Sequence, residues 1–261
     1  MGLVALVAAG GVLATLRERA PAKPANTAAP TATQQASPAD TGAATVLPAP
    51  TPASPSPTRA ATSAAPPKLP ATATFEVAAN DSEVTVRSQD LGADLYRVTL
   101  AAHDDPVTPK VTTAGAIRRL TLVKDADTAA PPVTITLNSA VRWSLKMSAG
   151  NTETAADLSR SRLAALELAG GAHIFDLSLP PVTGTLPLRI THGMSQLKIR
   201  TNGRPVRLNL RVGAGRVVLD GEIHTDTTPG KVLISDGWSD ATNRIDVDAV
   251  EGVGTLTVNT N

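Results

Sequence analysis

LELAGGAHIFDLSL at 166–179, LPLRITHGMSQLKI at 186–199 and VRLNLRVGAGRVVL at 206–219 repeat one pattern. In each, alternating apolar residues run into a small-residue turn, at Gly171, Gly193 or Gly213, and then into a second short alternating strand. A fourth copy closes the chain, with EGVG at 251–254 as its turn ahead of Leu256 and Val258. Turns recurring about every two dozen residues or fewer predict a stacked β-solenoid, in which each coil buries its apolar side only against its neighbours.

Upstream of these copies the apolar period is also two. Tyr96, Val98 and Leu100 share one strand face, Val133, Ile135 and Leu137 another, and Val141, Trp143, Leu145 and Met147 a third. One stretch, Glu153 to Leu168, has the length of a helix, but the first clear repeat claims its C-terminal part, so strand is the expectation throughout. Asp104-Asp-Pro106, Pro131-Pro132, Pro180-Pro181, Asn202-Gly203 and Asp220-Gly221 supply turn chemistry between the strands. Residues 221–243 read as an insertion that interrupts the last two coils.

The first 74 residues have a different composition. Gly2 to Leu16 are apolar or small except for Thr15, and Arg17-Glu-Arg19 ends the run. Residues 1–19 therefore read as an N-terminal membrane-targeting segment forming a short apolar helix. It falls below the ~20 residues that span a bilayer and lacks the basic stretch that precedes such a core, so the natural start is expected further upstream. Residues 20–74 are almost entirely Ala, Pro, Thr, Ser and Gln, with Lys23, Asp40, Arg59 and Lys68 as the charges. Such a stretch cannot bury enough apolar surface to offset its ordering entropy and reads as a disordered linker, reaching on the order of 170 Å if fully extended. Residues 75–261 form the solenoid domain. The arrangement places that domain on the extracytoplasmic face of the cell membrane or outside the cell. An excess of Arg over Lys with abundant Ala, Val and Pro points to a GC-rich, actinobacterium-like source.

The ordered motifs LELAGGA, LPP, GTLPLRI, GMS, NGRPVR and LDG between Leu158 and Gly221 resemble the toast-rack β-solenoid of bacterial envelope proteins. That adhesin-like domain also ends membrane-anchored proteins linked to cell-wall stress responses. The resemblance covers roughly the last hundred residues and departs from the usual Gly-Gly-Ala-Ser turn at His192-Gly-Met-Ser195 and Gly213-Ala-Gly215. It implies an all-β fold, a single-stranded-type β-solenoid with Gly-rich coil corners. The family has no common substrate and no established catalytic residues.

Chemistry is sparse. The absence of cysteine removes disulfides, thiolate catalysis and Cys-based zinc sites. A net charge of +1 and few aromatics argue against nucleic acid. His103-Asp-Asp105 and His224-Thr-Asp226 read as turns or solvated edges ahead of metal sites, and no metal or cofactor is expected. Trp238 is the one aromatic placed to serve a ligand or to cap the solenoid end.

Charge is segregated along the chain. From Leu177 to Leu219 there is no acidic residue, while Arg189, Lys198, Arg200, Arg204, Arg207, Arg211 and Arg216 accumulate. From Asp220 to Asn261 the balance reverses, with eight acids against Lys231 and Arg244. Arg189, Lys198, Arg207 and Arg211 lie between inward apolar residues, so alternation points them outward, and stacking predicts one basic stripe. The expected function is a non-enzymatic interaction or structural module of the envelope. Its partner would be an anionic cell-wall polymer, lipid headgroups or an envelope protein bound through that stripe, with membrane contact through the N-terminal segment. The alternative is an envelope glycan hydrolase or transferase with a site near His224, Asp226 and Trp238.

Overall fold

The computed structural model describes residues 15–19 and 68–260, apart from 105, 126 and 149. The apolar run before Thr15 and residues 20–67 of the expected linker lie outside the described residues, while 72–74, expected as the end of that linker, belong to the first strand of the coil. Strand β1 (Thr15–Arg19) occupies the end of the stretch expected to be helical, pairing antiparallel with an edge strand in a register that sets Thr15 opposite Thr99.

The chain then winds between two facing sheets. The first coil is β2 (Thr72–Ala78) and β3 (Val84–Gln89). An excursion follows through β4 (Asp94–Leu100), β5 (Thr108–Ala114), β6 (Ile117–Val123) and β7 (Val133–Asn138). Four regular coils come next: β8 (Arg142–Met147) with β9 (Asn151–Asp157), β10 (Arg162–Leu168) with β11 (Ala172–Ser178), β12 (Thr185–Ile190) with β13 (Met194–Arg200), and β14 (Val206–Leu210) with β15 (Ala214–Leu219). The chain ends through β16 (Glu222–Thr227), β17 (Lys231–Ile234), β18 (Arg244–Ala249) and β19 (Val253–Asn259). Sheet order is β1-β4-β7-β3-β9-β11-β13-β19-β15-β16 for the first sheet and β17-β14-β18-β12-β10-β8-β2-β6-β5 for the second. This is a toast-rack-like, all-β solenoid, and each coil gives one parallel strand to each sheet.

Both ends of the stack are built the same way. The chain overshoots by one coil position, lays down antiparallel strands, and returns to fill the position it skipped. At one end β4 and β5 flank the inserted coil β6/β7. At the other, β16 and β17 cover β15 and β14, and the final coil β18/β19 is inserted beside β12/β13. The segment expected as an interruption is therefore the cap. Terminal repeats need an outer face that does not template further pairing, and here the outermost strands carry charges, as in β16 with Glu222 and Asp226, or are short, as in the four-residue β17.

Alternation decides the core. Leu177, Leu188, Leu197, Leu208 and Leu219 are buried, as are Phe75, Tyr96 and Trp143, which meet edge to face. The corner glycines stack with the coils: a Cβ on Gly171 would meet the Gly193 carbonyl, and one on Gly193 the Gly252 carbonyl. Asp220 and Gly221, both at positive φ, form a two-residue hairpin that sets Leu219 opposite Glu222.

Candidate functional site

The final coil changes the electrostatics of the predicted stripe. Asp246 and Asp248 on β18 sit between β12, which carries Arg189, and β14, which carries Arg207 and runs into Arg211. Asp246 is in register with Arg207, which donates Nε to Asp246 Oδ1 at 2.8 Å and a second N–H to Oδ2. Asp248 accepts from Arg211 Nε at 2.6 Å and from the same guanidinium's Nη2 at 2.9 Å, and lies 3.9 Å from Arg189. Hydrogen bonding to these carboxylates holds Arg207 and Arg211 above the usual guanidinium range.

Arg189, Arg207 and Arg211 are thus brought together on the outer face of the second sheet, with their charge largely matched. Lys198 is not with them. It lies on β13 in the first sheet, opposite Asp176 and Thr257, on the other side of the sandwich. All four side chains point outward, as alternation predicts, but outward has opposite senses on the two strands of a coil, so they form no single stripe.

The pairing extends along the solenoid. One outward row of the second sheet reads Asp248, Arg189, Glu167, Lys146, Glu76, Arg119, alternating in sign from strand to strand. Lys146 Nζ lies 3.3 Å from Glu167 Oε1, and Arg119 Nε lies 3.7 Å from Glu76 Oε2. On the first sheet Arg200 bonds Asp176 at 2.5 Å. Each exposed pair is worth only about 0.2–1 kcal/mol, yet a one-position slip of any coil would misalign several of them.

The residues of the enzymatic alternative do not converge. His224 stands on the cap strand β16, opposite the inward Val217 and 3.6 Å from Glu222. Asp226 follows on the same strand at positive φ. Trp238 belongs to the outer side of the second sheet, where the guanidiniums of Arg207 and Arg244 lie over its ring at 4.4 and 4.2 Å and its Nε1 donates to the Ile245 carbonyl. Its ring therefore anchors the loop that leads into the last coil. His103 is held by the Ala101 and Val107 carbonyls, and His173 lies 3.2 Å from the Ser195 hydroxyl. Among the described residues, no three His, Cys, Asp or Glu side chains gather at metal-binding range.

Sequence reasoning passed over Arg142, Arg160 and Arg162. They line a groove of about 900 Å³ along the edge opposite the glycine corners, where the first sheet's strands hand over to the second. Arg142 and Arg162 face each other directly in the β8/β10 ladder. The Ser-Arg-Ser-Arg run at 159–162 was the available signal. Beside it Asp157 accepts from the Ser159 hydroxyl and N–H, which hold this carboxyl below the usual range, with Arg160 and Arg200 acting in the same sense.

The chain is similar to a "putative cell adhesion protein" from Clostridium sporogenes, 16% identical over 72% of this chain and 92% of that one, with a TM-score of 0.47. It is also similar to a "putative adhesin" from Bacteroides fragilis, 10% identical over 73% and 94%, with a TM-score of 0.19. No family model matches the chain, and no curated protein matches it in sequence.

Ion pairs run across neighbouring coils on both sheets, and Arg142, Arg160 and Arg162 line the groove at one edge.

Proposed function

We propose that this chain is a non-enzymatic, extracytoplasmic interaction module of a cell envelope: a rigid solenoid on a Pro/Ala/Thr-rich tether, led by a membrane-targeting segment. One observation carries the reading. His224 and Asp226 stand on the cap strand of the first sheet, whereas Trp238 packs on the outer side of the second. Catalysis needs an acid, a base and a reacting atom within hydrogen-bond reach of one another.

An anionic partner at Arg189, Arg207 or Arg211 must displace Asp246 or Asp248 from contacts already made. That competition weakens the predicted stripe as a docking surface and directs the search to charges without such partners.

Co-sedimentation of the purified full chain with isolated cell walls, and separately with membranes, tests the proposal. Saturable binding to wall or envelope material, with no glycan hydrolysed or transferred, is the expected result. Glycan turnover that disappears in His224→Ala or Asp226→Ala would replace this reading with the enzymatic one.

A further inference from the structure

The strands of the second sheet follow a charge rule, alternating in sign along the row from Asp248 to Arg119. At the start of the same strands the rule breaks. Arg162 and Arg142 are direct neighbours in the ladder, and the next residue along is Thr72. Parallel neighbours stand about 4.8 Å apart, and like charges directly opposite one another destabilise a sheet. Among the described residues neither guanidinium has a carboxylate partner, and no carboxylate lines the groove. Asp157, which acts on Arg160, is committed to the Ser159 turn. The row from Asp248 to Arg119 is neutralised by the solenoid's own carboxylates, and this one sets two arginines side by side.

We propose that the groove binds a phosphodiester of an extended anionic chain, with Arg142 and Arg162 bridging one phosphate and Arg160 meeting the chain beyond it. Two guanidiniums one strand spacing apart can each take one of the two charged non-bridging oxygens of a phosphodiester, whose charge lies on the chain itself, whereas the carboxylates of an acidic polypeptide hang on flexible side chains. Thr72, Ser139 and Thr183 add hydroxyls to the lining. Three exposed arginines spread along one groove match the repeated charges of a single strand-like ligand, which is the occupant the groove is assigned. The inference rests on the reading of the solenoid as an interaction module and names the chemistry of its partner.

The test is titration of the full chain with poly(glycerol phosphate) at fixed low salt, followed by calorimetry and thermal shift. Polyglutamate of matched charge and vesicles of phosphatidylglycerol in phosphatidylcholine serve as comparisons. Binding that weakens about tenfold or more in Arg142→Gln/Arg162→Gln, and stays unchanged in Arg216→Gln, is the expected result. The unliganded double variant should melt no lower than the parent, since it loses a repulsion, and should lose the ligand-induced shift. Equal affinity for polyglutamate, preference for the vesicles, or undiminished binding by the double variant would each overturn the site. If the chain sediments with cell walls but poly(glycerol phosphate) does not compete, the phosphate site falls and the module stands; if it sediments with neither walls nor membranes, the module reading falls first.

Discussion

Arg207 and Asp246 are 39 residues apart in sequence and adjacent in the sheet, joined by a two-point contact across neighbouring parallel strands. The last coil inserts between β12/β13 and β14/β15, so its acids face basic residues on both sides. Without it Arg189, Arg207 and Arg211 would occupy adjacent coils with no acid between them. The acidic C-terminal segment thus acts as the counter-charge of the basic coils.

Asp246→Asn should cost on the order of 0.5–1 kcal/mol, the worth of a well-oriented exposed pair. Denaturant melts of Arg207→Gln, Asp246→Asn and the double variant give the coupling directly. Additive losses would show that the pair contributes nothing to coil order.

Two glycines from the corners of neighbouring coils should respond differently to alanine. A Cβ on Gly254 would lie 2.6 Å from the Ser195 carbonyl oxygen, a backbone atom that cannot swing aside, whereas one on Gly193 would meet the Gly252 carbonyl at 3.6 Å. Gly254→Ala should destabilise by roughly 1–3 kcal/mol, and Gly193→Ala by well under 1 kcal/mol. Equal melting temperatures would refute this stacking of the corners.

Leu197→Asp places a carboxylate at a position 1% exposed, between Phe175 and Leu256 in register. A loss of several kcal/mol is expected, together with a weaker β-type circular dichroism signal at ambient temperature. An unchanged melt would rule out the two-sheet core.

The acid limb of stability should depend on Asp157. Its hydrogen bonds to Ser159, aided by Arg160 and Arg200, lower its folded pKa below the unfolded value of about 3.9. Its contribution is therefore fully present above that value and is lost as pH falls through the folded pKa. Asp157→Asn should remove that part of the acid dependence while leaving the slope between pH 6 and 8 unchanged; an identical acid limb in the variant would refute the assignment.

Local chemistry made much of this legible. The two-residue apolar period found the inward face of β4, β7 and β8, and Asp220-Gly221 announced its hairpin, because each depends on residues within a few positions of one another. The stretch from Glu153 to Leu168 reads correctly as strand for the same reason. Lys198 was misplaced because alternation distinguishes in from out without saying which of two opposed faces is out.

Backbone period and turn chemistry alone specify a β-solenoid with glycine corners, buried alternating leucines and outward charges. The order of the coils, and with it which charges cancel, comes from long-range pairing in the folded chain. The repeats are alike enough in backbone that any coil can lie beside any other. The choice rests on contacts between residues such as Arg207 and Asp246, and it leaves Arg142 and Arg162 facing each other with no acid between them.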